Sequence, residues 1–257
     1  MDSLGDRIKK NYEDRTRYLL PRRTYTIIRV DGRAFHTYLR DADKPFDHKI
    51  MKDIDSTAEA LLREIQGSCL AFTQSDEISI LATDFKEDTT EAWFDNNLQK
   101  VVSVAASIAT AEFNKQRMLR LRFDFQEIAD ALSCRRQATF DARAFTISDP
   151  VEVENYFIWR QKDAERNSLQ MLARSLYSHN ELEGKGTVEL HDLIHAKGMN
   201  WNDLNNGVKR GRVSFKSTSN PENPPVRTTI ITEGAPIFIQ DREYLRNLIP
   251  ILRNNNE

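Results

Sequence analysis

Three carboxylates stand out by type and setting. Asp31 follows an apolar, β-branched run, Thr24–Val30, and precedes Gly32. Asp76 and Glu77 lie in the segment Gln74-Ser75-Asp76-Glu77, between the short apolar runs Ser68–Thr73 and Ile78–Thr83. Two or three carboxylates gathered beside an open strand end make a hard, oxygen-rich site. Such a site suits Mg²⁺, which takes one or two carboxylates and completes its octahedron with water, backbone carbonyls and substrate phosphates. Two such ions about 4 Å apart can align a nucleophile and a leaving pyrophosphate for in-line displacement. The same residues also have an ordinary reading. Asp-Gly after a strand and Ser-Asp-Glu at a hairpin tip are common turn chemistry.

Whether the carboxylates meet depends on the elements that carry them. Thr24–Val30 predicts a strand that stops at the Asp31-Gly32 turn. After a polar stretch holding Lys44-Pro45, Met51, Ile54, Ala58, Leu61, Leu62 and Ile65 recur at helical steps until Gly67. The runs around residues 74–77 predict a hairpin with an acidic tip. Leu98, Val101, Val102, Ala105, Ile108, Ala109 and Phe113 form the stripe of a second helix. Ala138–Ile147 predicts a further strand. Strand–helix–strand–strand–helix–strand is the split βαβ order of a ferredoxin-like sheet, which sets the end of its first strand beside the central hairpin. The second half begins with an apolar pattern over Val151–Ser178. Short helices follow over Glu189–Ala196 and Asn202–Gly207. Late strands over Val213–Lys216 and Thr228–Ile239 flank the Pro- and Asn-rich loop Ser217–Pro225. The expected fold is therefore α+β: a ferredoxin-like βαββαβ unit over residues 1–148, with residues 149–257 as a mostly helical region carrying a late β-hairpin, packed on it as one unit.

Composition bounds the function. At about 150 residues per domain, 257 residues make one large domain or two small ones. Hydrophobic residues at 39% exclude wholesale disorder. Thirty-seven basic against 39 acidic residues leave a net charge of −2, so a polyanion must be met by local patches. Basic residues concentrate at Arg22-Arg23, at Arg117, Arg120 and Arg122, at Arg135-Arg136, and at Lys209, Arg210, Arg212 and Lys216. No run reaches the roughly 18 apolar residues of a membrane helix. The charged N-terminus has no apolar signal core. Cys69 and Cys134 read as reduced thiols of a cytoplasmic protein. His191 and His195 share a helix face, but no further ligand cluster accompanies them to make a zinc site. Tyr156, Phe157 and Trp159 read as core.

Arg29-Val30-Asp31-Gly32-Arg33-Ala34-Phe35-His36 resembles the first metal and nucleotide motif of the tRNA(His) guanylyltransferase superfamily. Lys44-Pro45 with Asp47 is similar to its next motif, and Gln74-Ser75-Asp76-Glu77 to its hairpin. Lys100 with Ser107, Phe140-Asp141-Ala142-Arg143, and Trp159-Arg160-Gln161 with Asp163 follow in order. Lys209-Arg210-Gly211 resembles a late basic motif. The resemblance implies a polymerase-type palm that extends RNA 3′ to 5′. ATP, or a 5′-triphosphate already present, activates the tRNA 5′ end, and the 3′-hydroxyl of an incoming nucleotide, commonly GTP, attacks it. It implies two Mg²⁺ ions on Asp31, the Gly32 carbonyl and Asp76. Glu77 reads either as an outer catalytic carboxylate that assists the metals or as a residue that holds the hairpin through a basic neighbour. The resemblance places the triphosphate against Asp31, Gly32, Arg33, Ala34, Phe35 and His36 and against Ser75 and Asp76. Lys44 and Lys100 are candidate phosphate contacts, because Mg²⁺ cannot cancel all the triphosphate charge. The resemblance assigns tRNA to Lys209 and Arg210, and implies a homotetramer. Gly32 suits close backbone approach, and the amides after it can donate to phosphate as a nest.

Two departures separate this chain from eukaryotic-type members. Asn96-Asn97 stand where those carry Arg-Arg, and Glu165–Met171 replaces a His-Ile-Asn-Asn-Leu-Tyr-Asn run. Both are similar to the branch of guanylyltransferase-like proteins that repair 5′-truncated tRNAs by copying the opposite strand. The expected activity is that repair. A dedicated tRNA(His) guanylyltransferase is the alternative within the family. A palm-type nucleotide cyclase and a non-catalytic RNA-binding module are the more distant ones.

Overall fold

The computed structural model describes residues 3–120, 137–218 and 228–252. A short helix, α1 (Leu4–Ile8), precedes strand β1 (Tyr25–Gly32), and α2 (Phe35–Tyr38) follows it. Helix α3 (His48–Glu64) leads to the hairpin of β2 (Ser68–Gln74) and β3 (Glu77–Thr83). Helix α4 (Leu98–Arg120) then returns the chain to β4 (Phe140–Ile147). These strands line up as β4-β1-β3-β2, all antiparallel, which is the expected ferredoxin-like arrangement. Beyond it, β5 (Arg212–Thr218) pairs with the outer edge of β2, and β6 (Thr228–Gly234) with β5, to give a six-stranded sheet.

Alternation along β1 explains how both sheet faces are covered. Ile28 and Val30 pack with Ile54, Leu61, Val101 and Phe113 of α3 and α4. Tyr25 and Ile27 point the other way, against Val153 and Phe157 of the long helix α5 (Pro150–Leu176). Phe72, Phe113, Phe157 and Phe238 are fully buried. Each such side chain contributes about 1.5–3 kcal/mol of transfer free energy. The C-terminal half of α5 forms a smaller cluster with α7 (Thr187–Ala196), through Leu172, Leu190, Ile194 and Trp201, while α6 (His179–Leu182) joins the two helices.

The second half departs from expectation in detail. Asn202–Gly207 is not one helix. A 3₁₀ turn covers Trp201–Asp203, and α8 (Asn206–Lys209) starts afresh because Asn205 Oδ1 caps it, accepting from the Val208 N–H at 2.9 Å. The last strand ends at Gly234, short of Ile239. There the chain turns inward, burying Ala235 and Phe238. Gln161 of α5 clamps it, donating to the Pro236 carbonyl at 2.6 Å and accepting from the Phe238 N–H at 2.8 Å. Helix α9 (Arg242–Leu248) closes the face. The loop Ser217–Pro225 lies mostly outside the described residues. Among them, no helix is long and apolar enough to cross a membrane.

Candidate active site

The sheet register gathers the acidic residues. Asp31, near the end of β1, stands opposite Glu77 of β3 on one side and Asp141 of β4 on the other. Cross-strand partners project to the same face, here the face covered by α5. The Gly32 N–H donates to the Asp76 carbonyl at 3.2 Å, which ties the hairpin tip to the strand end. Gly32 admits no larger residue, because a Cβ there would lie 2.3 Å from the Phe35 ring. Phe35 in turn is buried among Tyr38, Phe113 and Phe140, at ring distances of 5.2, 5.4 and 5.0 Å. Ala34 and Ser75 hold left-handed backbone, with φ of 53° and 48°. Together they turn the chain sharply on either side of the carboxylates.

The carboxylates are not equivalent. Glu77 is buried and its charge is met: Arg160 Nε and Nη2 donate to its two oxygens at 2.8 Å each. Ser79 Oγ donates to Glu77 Oε1 at 3.3 Å, and Arg160 Nη2 also reaches Asp163 Oδ2 at 2.9 Å. Asp31 and Asp76 make no ion pair among the described residues. Burial, then the nearby Asp141, raises the Asp31 carboxyl, while Arg29, Arg143 and Arg160 pull it back. Asp76 is pushed up to about 6, chiefly by burial, with Asp31 and Glu77 adding to the effect and the Ser75 side chain opposing it. Two crowded carboxylates without an ion-pair partner are what a divalent ion relieves. Among the described residues no cluster of three or more Asp, Glu, His or Cys side chains could hold a metal. Asp31 and Asp76, with the Gly32 carbonyl, are the groups that could hold such an ion. That fits Mg²⁺, which keeps water and substrate phosphates in its remaining positions.

Two clefts meet at the hairpin tip and share Gln74, Ser75, Asn167 and Met171. The acidic cleft contains Asp31, Asp76, Glu77, Arg160, Asp163 and Arg174. The other is more apolar, walled by Leu39, Pro45, Phe46, Ile50 and Val208, with Lys44 on its rim.

Residues 6–148 match the family model described as tRNAHis guanylyltransferase, more than half of the 257-residue chain. The chain belongs to the tRNA(His) guanylyltransferase family. It is thus a nucleotidyltransferase. A bacterial tRNA(His) guanylyltransferase-like protein in complex with ATP is 39% identical, with a TM-score of 0.83 over 97% of this chain and 100% of its own. One in complex with GTP is 38% identical, with a TM-score of 0.74 over 96% of this chain and 99% of its own. The tRNA(His) guanylyltransferase of Eremothecium gossypii is 30% identical over 75% of this chain and 82% of its own.

The remaining residues of the family motifs divide sharply. Arg33 and His36 are exposed beside the strand end, and Ser75 and Lys44 line the clefts. Lys100 does not join them. It lies on the first turn of α4, with its ammonium 5.9 Å from the Phe94 ring centroid. That turn neighbours Thr83, the opposite end of β3 from the hairpin tip. The seven residues of β3 put it about 20 Å away at roughly 3.3 Å per residue.

Lys209 and Arg210, expected to contact RNA, also make internal contacts. Lys209 is buried, donates to the Asn202 carbonyl at 2.6 Å and lies over the Trp201 ring. Arg210 pairs with Glu165 at 2.9 Å and also covers Trp201. Other basic clusters are likewise engaged: Arg22 with Asp84, Arg117 and Arg120 with Asp53, Arg212 with Asp55, Lys216 with Ser68. Arg122, Arg135 and Arg136 lie outside the described residues. Trp159 is corrected from core to surface, at 52% exposure. His191 packs its ring edge-on against Trp201 at 5.6 Å.

Sequence reasoning missed Arg160, Asp163 and Asp141 as members of the site, although it marked their motifs. Their signal is pairing: Asp141 sits opposite Asp31, and Arg160 forms an ion pair with Glu77.

Proposed function

We propose that this protein adds nucleotides to the 5′ end of tRNA in the 3′–5′ direction, repairing 5′-truncated tRNAs under the direction of the opposite strand. The observation that carries the chemistry is the unpaired Asp31–Asp76 couple at the end of β1, beside a glycine that only glycine can be. In this reading the incoming nucleoside packs in the apolar cleft by Leu39, Pro45 and Phe46. Lys44, Ser75 and the backbone from Gly32 to His36 hold its triphosphate. Its 3′-hydroxyl attacks the phosphorus of the activated RNA 5′ end. A new phosphodiester forms, the bond to the adenylate or pyrophosphate leaving group breaks, and the hydroxyl proton passes to solvent. Asp31, Asp76 and the Gly32 carbonyl would hold two Mg²⁺ ions, whose charge would offset that of the phosphates and acidify the attacking hydroxyl. Glu77 acts by holding Arg160, and through it the shape of the acidic cleft.

The similarity to guanylyltransferase-like structures over nearly the whole chain supports repair, together with Asn96-Asn97 and Glu165–Met171. The relatives named tRNA(His) guanylyltransferase keep the dedicated enzyme as the second reading. A homotetramer belongs to this reading: a Lys100 that contacts phosphate from the far end of the sheet would serve another protomer's site.

Single-nucleotide addition on four truncated tRNAs differing only in the template base tests the proposal. The added nucleotide should follow the template. Guanylate added to all four would instead establish the dedicated enzyme.

A further inference from the structure

Trp159 stands out on α5. Its neighbours Tyr156 and Phe157 are 7% and 0% exposed, yet its own indole is 52% exposed. A large apolar ring left in water beside a charged cleft is held there by its contacts. The Arg160 guanidinium lies 4.4 Å from the ring centroid, and Tyr156 meets it edge-on at 5.9 Å. Arg160 is itself pinned by two bonds to Glu77 and one to Asp163. Glu77 is the register partner of Asp31. An unbroken series of fixed contacts therefore positions the indole relative to the reacting centre, with much of its surface open.

Its side of the cleft is equally informative. Tyr156, one turn earlier, packs on Phe145 of β4 at 5.7 Å. Trp159 thus flanks the β1–β4 side of the carboxylates, where Arg143 of β4 is 56% exposed. The apolar cleft opens on the other side, by β2 and β5, through Gln74, Gly211 and Arg212. In-line displacement sets the attacking 3′-hydroxyl opposite the leaving group while the RNA stays bonded to the phosphorus between them, so the RNA 5′ end needs a place of its own outside the apolar cleft.

We propose that Trp159 is the stacking platform for the nucleobase at the 5′ end of the RNA acceptor, across the carboxylates from the incoming nucleotide. This rests on the function proposed above and names where its RNA substrate docks. Every base offers a π-face, so the platform accepts any 5′ base, as repair of different tRNAs requires. Such a stack contributes roughly five- to 150-fold in affinity.

The test compares the full-length protein with Trp159→Leu and Trp159→Phe. The RNA carries either 2-aminopurine or an abasic residue at its 5′ terminus. Trp159→Leu should raise KM for RNA at least fivefold and leave KM for the nucleoside triphosphate unchanged, with Trp159→Phe recovering most of the loss. On abasic RNA, leucine should add no penalty. Quenching of 2-aminopurine on binding without nucleotide should disappear in Trp159→Leu. An equal KM for RNA, or the same penalty on abasic RNA, overturns the platform and leaves Trp159 as a support for Arg160. A raised KM for the triphosphate alone puts the mononucleotide on the indole and overturns it too. A wild-type protein that quenches but adds no nucleotide defeats the proposed function and leaves the platform standing.

Discussion

Asp76 and Glu77 are adjacent, yet their environments give them different work. Glu77 is satisfied by Arg160, and breaking a buried pair of this kind costs about 3–5 kcal/mol because a charge is left alone. Asp76 has no cation, and burial with the neighbouring Asp31 raises its carboxyl to about 6. Asp31 and Asp76 are therefore strained as a pair in a way that ligand binding relieves. Asp31→Ala and Asp76→Ala should each abolish nearly all nucleotide addition, with a double variant no worse than either single one, since both serve the same ions. Thermal unfolding should stay cooperative in each. Retention of more than about a tenth of the wild-type rate, a loss of less than about 1.4 kcal/mol in barrier, would remove that residue from the ligand set.

Helix α3 and the segment before it shape the apolar cleft, and a cap secures their junction. Asp47 accepts from the Lys49 and Ile50 N–H groups at 2.9 and 3.1 Å, and from Asp43 N–H at 3.3 Å. Burial acts to raise the Asp47 carboxyl, but these three N–H groups outweigh it and hold it below the ordinary value. A depressed carboxyl stabilises the fold above its unfolded pKa, and that stability is lost as pH falls through the folded value. Asp47→Ala should therefore cost about 1 kcal/mol at neutral pH. The gap between wild type and variant should persist down to about pH 4, the ordinary aspartate range, and close below it. Urea unfolding at pH 7 and pH 3 measures it, and a gap independent of pH would show that the carboxylate charge plays no part in the cap.

Among the described residues, several of the basic clusters marked in the sequence are engaged within the protein, so with a net charge of −2 RNA must also be met by other cations. Arg174 is exposed in the acidic cleft and makes no hydrogen bond or ion pair among the described residues. Arg174→Ala should weaken tRNA binding and lower the salt slope by roughly 0.7–0.9, the value of one phosphate contact. Lys209→Ala with Arg210→Ala should instead lower the melting temperature and leave the slope unchanged, because both side chains hold Trp201 and Glu165. A flattened slope in that double variant would return these two residues to the RNA surface.

The sequence by itself determined the order of elements, the hairpin with its acidic tip and the identity of Asp31 and Asp76. Those features are local: β-branched runs, helical stripes and short motifs carry them within a few residues. Only the tertiary structure decided which charges meet. The register that sets Asp31 between Glu77 and Asp141 joins three strands far apart in the chain. The docking angle of α5 buries Phe157, exposes Trp159 and aims Arg160 at Glu77. Lys100, part of the same motif series, is carried to the opposite end of the sheet because α4 begins where β3 ends. Spacing along a chain says which residues share an element; pairing between elements says which of them share a site.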